Sequence, residues 1–113
     1  MNRGELIYLA CPYSHKDSEI MQNRFLAINK IAAKLMADGY YVFSPISHTH
    51  PIALAGTLPR GWEFWKGYDT VIIKNCKCVL VAMLDGWGTS TGVQAEIQIA
   101  KDLGIPVEYL DCK

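Results

Sequence analysis

Residues 76–96 read CKCVLVAMLDGWGTSTGVQAE. The run Cys76 to Leu84 is the most hydrophobic strand-like segment of the chain. It shows no alternation of apolar and polar positions, the pattern of a strand covered on both faces. A loop with glycines at 86, 88 and 92 and hydroxyls at 89, 90 and 91 follows it. From about Thr91 to Leu103 the period changes to that of a helix, with Val93, Ile97 and Ala100 on one face. Gly104 is placed to end that helix. A buried strand, a polar loop and an amphipathic helix make one βα unit.

The same alternation extends outward. Upstream, Glu5 to Ala10 (ELIYLA) is a second continuous apolar run, stopped by Pro12. The spacing of Ile20, Met21, Phe25, Ile28, Ile31, Ala32, Leu35 and Met36 predicts a helix over about Asp17–Asp38, closed by Gly39. Tyr40–Ser44 reads as a strand stopped by Pro45. Residues Ile46–Arg60 carry three further breakers, Pro51, Gly56 and Pro59, and are read as a long ligand loop or lid. Gly61–Lys74 is a helix, and Ile105–Leu110 a last strand. Strands alternating with helices build right-handed βαβ crossovers, hence an α/β domain with a parallel sheet of four to five strands and helices on both faces. At 113 residues, the chain 1–113 is read as a single domain.

Composition removes several function classes. Eleven basic and eleven acidic residues cancel, so no broad basic surface for a nucleic acid polymer or an anionic membrane is expected. No run approaches the roughly 20 apolar residues of a membrane span. The N-terminal run is too short for a signal peptide, and a cytoplasmic location is expected. The four cysteines lack a CxxC pair and read as buried thiols rather than ligands or a redox centre. No cofactor is expected.

In a parallel α/β sheet, ligands bind beyond the carboxyl ends of the strands. Three segments must lie there: Ala10–Lys16, Ser44–Pro51 and Leu84–Thr91. Each is rich in polar and turn residues. Glu96 falls about a turn and a half into the helix after the third strand, where the helix dipole mildly favours an anion. Spacing alone leaves it open whether Glu96 acts or is simply solvated. Ser90 or Thr91 caps the helix, and Thr91 with Gln94 fits a capping box. Asp85 ends the strand as either a ligand contact or an ordinary Asp-Gly turn residue. Asp69 lies in the preceding helix, and periodicity does not aim it. Converging carboxylates suit glycosidic chemistry. Tyr8 lies within the first strand and Tyr13 just past it, where a ring either stacks on a flat ligand or packs in the core. His48 and His50 have the spacing that puts both rings on one side of an extended segment. No third ligand accompanies them, so a hydroxyl or phosphate contact is favoured over a metal. Trp62 and Trp87, with Trp65, form an aromatic wall or merely pack.

The combination Y8-L-A-C-P-Y13, Asp69, and S90-T-G-V-Q-A-E96 followed by LGIPV resembles the nucleoside 2-deoxyribosyltransferase superfamily, which includes the deoxynucleoside-monophosphate N-glycosidases. The resemblance covers nearly the whole chain. Within it, SPISHTHPIA, LPRGWEFWKGYD and LDGWGTSTGVQAEI look like the uncharacterised bacterial and phage group called DUF1937. The resemblance implies a flavodoxin-like, Rossmann-type fold, often as a homodimer or higher homo-oligomer, in a bacterial or phage-infected cell. It implies cleavage of an N-glycosidic bond of a nucleoside or nucleotide. Glu96 then matches the nucleophilic glutamate that attacks C1′. Tyr8 matches the tyrosine that orients it, and Asp69 the aspartate that assists departure of the base. Ser90 matches the serine that holds a 5′-phosphate, and Asp85 a sugar-hydroxyl contact. Gly92 lets the backbone approach the ligand. Where monophosphate-cleaving members have a Gly- and Arg-rich segment after the first strand, this chain has CPYSHKD, with Lys16 its sole fixed cation.

Two readings follow from the sequence. One is an N-glycosidase or N-deoxyribosyltransferase acting on a small nucleoside or nucleotide. The alternative is a nucleotide-sensing or nucleotide-sequestering module on the same fold, without turnover.

Overall fold

The computed structural model describes residues 1–112. Among these described residues, four strands form one all-parallel sheet: β1 (Leu6–Ala10), β2 (Tyr41–Phe43), β3 (Cys78–Met83) and β4 (Val107–Asp111), in the order β2-β1-β3-β4. Four helices cover it: α1 (Ser18–Ala37), α2 (Pro45–Gly56), α3 (Trp62–Lys74) and α4 (Thr91–Asp102). This is the flavodoxin-like α/β architecture expected from the sequence. No helix among the described residues is long and apolar enough to cross a membrane.

Burial on both faces explains the unbroken apolar runs of β1 and β3. Ile7, Leu9 and Cys11 of the first run and Cys78, Leu80 and Ala82 of the third face α1, where they meet Ile28 and Ala32. Tyr8, Ala10, Val79 and Val81 point the other way, onto Ile73 of α3 and Val93, Ile97 and Ala100 of α4. The period of two along each strand thus sorts the core into two layers. The register pairs Tyr8 with Val79 and with Phe43.

Helix boundaries follow local chemistry. Asp17 caps α1 by accepting a 2.9 Å bond from the Glu19 N–H. Gly39, at φ 95°, lets the chain leave α1 in the left-handed conformation that glycine adopts without strain.

One expectation is overturned. Residues 46–60 are not a long loop: Pro45–Gly56 is a helix, and only the short segment before Trp62 is irregular. Pro45 occupies its first turn, where a missing N–H has no intrahelical partner to lose. Pro51 lies inside the helix and removes one helical hydrogen bond. The helix survives because Pro45, Thr49, His50 and Ala53 are buried on one side. Tertiary packing outweighs the breaker.

The chain runs from β1 outward to β2, then returns past β1 to form β3. Strand order therefore reverses between β1 and β3, and a crevice opens at their carboxyl ends.

Candidate functional site

A cavity of about 510 Å³ occupies that crevice. Its walls come from the segment after β1 (Cys11, Tyr13, Ser14), from α2, from the α2–α3 turn and α3, and from the start of α4. Glu96 and Asp69 also line it, and both are buried.

Each polar group on its floor is delivered by a different element. Tyr8 projects from β1 onto the α3/α4 layer and is fully buried. Its hydroxyl donates a hydrogen bond to Glu96 Oε2. Glu96 follows Val93 by three positions and precedes Ile97 and Ala100, so it sits on the buried side of α4. Asp69 occupies the matching side of α3, four residues before the buried Ile73. It stands near enough to both Tyr8 and Glu96 to influence their titration. The three side chains make one closed polar cluster in an otherwise apolar layer.

The charge state of this cluster differs from the expected one. A helix N-terminus and a tyrosine hydroxyl both favour an ionised Glu96. Burial and the adjacent Asp69 charge act against them, and the Glu96 carboxyl is held well above the usual carboxylate range. Magnitudes explain the outcome. A helix dipole contributes about 0.3–1 kcal/mol. Full burial shifts a carboxyl by up to about 3–5 units, at 1.36 kcal/mol each. Asp69 is pushed up to about 6, mainly by burial, with the Tyr8 and Glu96 hydrogen bonds opposing the shift. Burial and mutual repulsion raise both carboxyl groups, so near neutral pH the pair shares one proton. Tyr8, raised by burial and by both carboxyl groups, stays a neutral hydroxyl.

The start of α4 forms another wall. Ser90 is the cap: its Oγ accepts from the Val93 N–H at 3.2 Å. The Thr91–Gln94 capping box is not formed, because the Gln94 amide instead donates to the Trp87 carbonyl at 3.2 Å. Thr89, Ser90, Thr91 and Gly92 all line the cavity. A Cβ on Gly92 would stand 3.8 Å from the Trp62 ring, an ordinary contact, so glycine keeps this wall low rather than relieving a clash. Trp62 and Trp65 face the cavity as expected of an aromatic wall, with Tyr13 on another side. The Trp65 indole N–H donates to the Pro59 carbonyl at 2.9 Å.

Four expected ligand contacts lie elsewhere. His48 and His50 sit in a helix, where two positions turn through about 200° and separate the rings. His48 is exposed and stacks on Tyr68 of α3, with centroids 6.4 Å apart. His50 is buried behind the cavity wall. Its Nδ1 pairs with the Tyr13 hydroxyl at 2.6 Å and its Nε2 with Gln22 Oε1 at 2.8 Å. Burial and the nearby Arg60 charge hold His50 below its usual range, so it is a neutral strut for Tyr13. Asp85 is exposed and does not line the cavity; its backbone carbonyl accepts from Arg24 at 3.2 Å. Trp87 packs on the Tyr109 ring, centroids 5.7 Å apart, outside the cavity.

Arg24 and Arg60 were not singled out by the sequence. Arg24 reaches from α1 to the carbonyls of Tyr13, Ser14 and Asp85, joining the loops after β1 and β3. It also explains Gly86, which has φ 91° and would place a Cβ 2.8 Å from the Arg24 guanidinium. Arg60 lines the cavity from the α2–α3 turn, and its backbone carbonyl accepts from the Ser14 hydroxyl. The wall therefore carries a fixed cation, supplied by the LPRGW segment rather than the segment after β1. Cys11 also lines the cavity, but burial pushes its thiol far up and leaves it without thiolate character.

A family model described as Domain of unknown function (DUF1937) matches residues 5–111. No curated protein matches the chain.

Proposed function

The chain belongs to the DUF1937 family, whose description carries no activity, and from its site chemistry we propose that it cleaves or transfers at the N-glycosidic bond of a nucleoside or nucleotide. The observation that carries this reading is the buried Tyr8–Glu96–Asp69 cluster on the floor of an aromatic-walled cavity. Two carboxyl groups that share one proton supply both parts such a cleavage needs: a nucleophile and an acid. The resemblance of the Tyr8, Asp69 and Ser90–Glu96 motifs to the deoxyribosyltransferase superfamily points the same way.

In the resting site the carboxyl pair shares one proton. Its passage to Asp69 frees the Glu96 carboxylate, which keeps the Tyr8 hydrogen bond. Glu96 attacks C1′ as the C1′–N bond breaks, and the bonding electrons leave with the base. The Asp69 proton passes to the base nitrogen, directly or through a water. Water, or a second base, then attacks C1′ and breaks the glycosyl ester, and the proton released returns to the carboxyl pair. One proton transfer thus creates the nucleophile and arms the acid together.

A panel of nucleosides and 5′-monophosphates, assayed for free base, tests this. Base release should fall by about 10³-fold or more in Glu96→Ala. Release unchanged in that variant sinks the mechanism. The active form needs one proton and one negative charge on the pair, so the rate should follow a bell-shaped pH curve. Its acid limb lies near 6, where Asp69 becomes protonated. Its alkaline limb marks loss of the shared proton.

The deep burial of Glu96, which raises its carboxyl, favours a second reading, a nucleotide-binding module without turnover. It predicts a nucleotide-like ligand in the mass spectrum of the purified protein and no base released on long incubation.

A further inference from the structure

The walls of the cavity differ in the hydrogen bonds they still have to offer. Behind one wall, a chain of polar side chains ends on Tyr13. His50 Nε2 pairs with Gln22 Oε1 at 2.8 Å. An amide oxygen only accepts, so Nε2 carries the ring proton. Burial and the Arg60 charge hold His50 below its usual range and keep the ring neutral. Its Nδ1 is therefore a bare acceptor. The Tyr13 hydroxyl, 2.6 Å away, must donate to it. A phenol has one proton, and burial, which raises Tyr13, keeps that proton in place. It is spent inside the protein, and the Tyr13 oxygen is left with lone pairs alone.

The next residue repeats the pattern by a separate route. The Ser14 hydroxyl donates to the Arg60 backbone carbonyl and spends its one proton there. The backbone carbonyls of Tyr13 and Ser14 are occupied as well, by Arg24 Nη1 at 3.3 and 3.2 Å. Both residues line the cavity, so what they add to it is two side-chain oxygens that only accept. The start of α4 has the reverse character. Ser90 Oγ already accepts from the Val93 N–H and keeps its own proton free to donate. The cavity is thus polarised, with acceptors after β1 and a donor at α4.

We propose that Tyr13 and Ser14 form an acceptor pair that selects ligands carrying an N–H or O–H donor, either on the base or on the sugar. An oxo or phosphate oxygen placed against the pair meets lone pairs and loses its bonds to water without replacement. His50 and Gln22 touch no ligand. They are positioning residues that decide which way the Tyr13 proton points. The choice of nucleosides as ligands rests on the proposed function, whereas the acceptor pair does not depend on turnover.

Binding calorimetry with matched nucleosides tests this. Adenosine and inosine against purine riboside, and cytidine and uridine against pyrimidin-2-one riboside, remove a base donor. Adenosine against its 2′-, 3′- and 5′-deoxy forms removes one sugar hydroxyl at a time. At least one deletion should weaken binding to the wild-type protein by about tenfold or more. Tyr13→Phe or Ser14→Ala should bring that same ratio close to one, and the exposed Ser14 gives a variant that leaves the core untouched. Long-range ¹H–¹⁵N NMR of the ligand-free protein should show His50 protonated at Nε2 and bare at Nδ1. A proton on Nδ1 overturns the proposal. So does a panel in which no donor deletion matters or no member binds, or a ratio that survives in both variants. Failure to release base, with the donor preference intact, counts against the proposed cleavage and leaves the acceptor pair standing.

Discussion

The two faces of the sheet do different work. Toward α1, the layer of Ile7, Leu9, Leu80, Ala82, Ile28 and Ala32 is apolar throughout. Toward α3 and α4, an equally buried layer has Tyr8, Asp69 and Glu96 set into it at the carboxyl end. One strand, β1, serves both: Ile7 and Leu9 face the apolar layer and Tyr8 the polar cluster. The first layer supplies stability by removing apolar surface from water. The second gives up part of that stability to hold two carboxyl groups where their proton is shared.

Cutting into the apolar layer should give the largest effect on stability. Ile28 is fully buried, and Ile28→Ala should lower unfolding stability by about 2–5 kcal/mol through lost transfer energy and a cavity. Denaturant titration measures this. The pH–rate profile of the remaining folded protein should not move, since Ile28 touches none of the cluster.

Altering the polar layer should have the opposite sign. A carboxyl whose folded pKa is raised binds its proton more tightly in the native state. Its contribution therefore favours folding at low pH and is lost as pH rises above the unfolded value of about 4. For Asp69 the loss runs up to about 6, and for Glu96 it continues higher. Glu96→Gln keeps the shape and an acceptor for the Tyr8 hydroxyl but removes the titration. It should stabilise the protein at pH 7 by about 1–3 kcal/mol, with little gain at pH 4. The difference between the two proteins is the useful quantity, because His50 and the surface groups cancel in it. Equal stabilisation at both pH values would contradict the shared-proton description.

The smallest effect belongs to the wall between the layers and solvent. Ser90→Ala removes the α4 cap and should cost about 1 kcal/mol. Thr91→Ala should cost less, since Thr91 does not cap. Thermal melts of the two variants decide which hydroxyl performs that role.

The extent to which the site could be foreseen follows the range of each signal. For Glu96 the period of Val93, Ile97 and Ala100 left a functional and a solvated role both open, and the motif resemblance pointed to the first. The local pattern offered Ser90 or Thr91 as the α4 cap, and the structure selects Ser90. Asp69 and Tyr8 entered through motif resemblance, since a helix period and a strand run say nothing of which neighbour each will meet. Reading Ile46–Arg60 as a loop gave Pro51 and Gly56 more weight than the burial of Thr49, His50 and Ala53, which polar side chains disguised. The histidines were misplaced as a consequence. Arg24 and Arg60 carried no local signal, because their positions are set by loops far away in sequence.

By itself the sequence determined the order of the four strands and of α1, α3 and α4, the two-sided burial of β1 and β3, the helix ends at Asp17, Gly39 and Gly104, and the crevice that α/β connectivity implies. These depend on periodicity and backbone preference over a few residues. Only the tertiary structure decided that residues 45–56 are a helix, that Tyr8, Asp69 and Glu96 meet, that His50 supports Tyr13 rather than facing a ligand, and that both carboxyl groups are raised. Convergence is a property of packing between distant segments. A pKa is a property of the burial and charge that this packing creates.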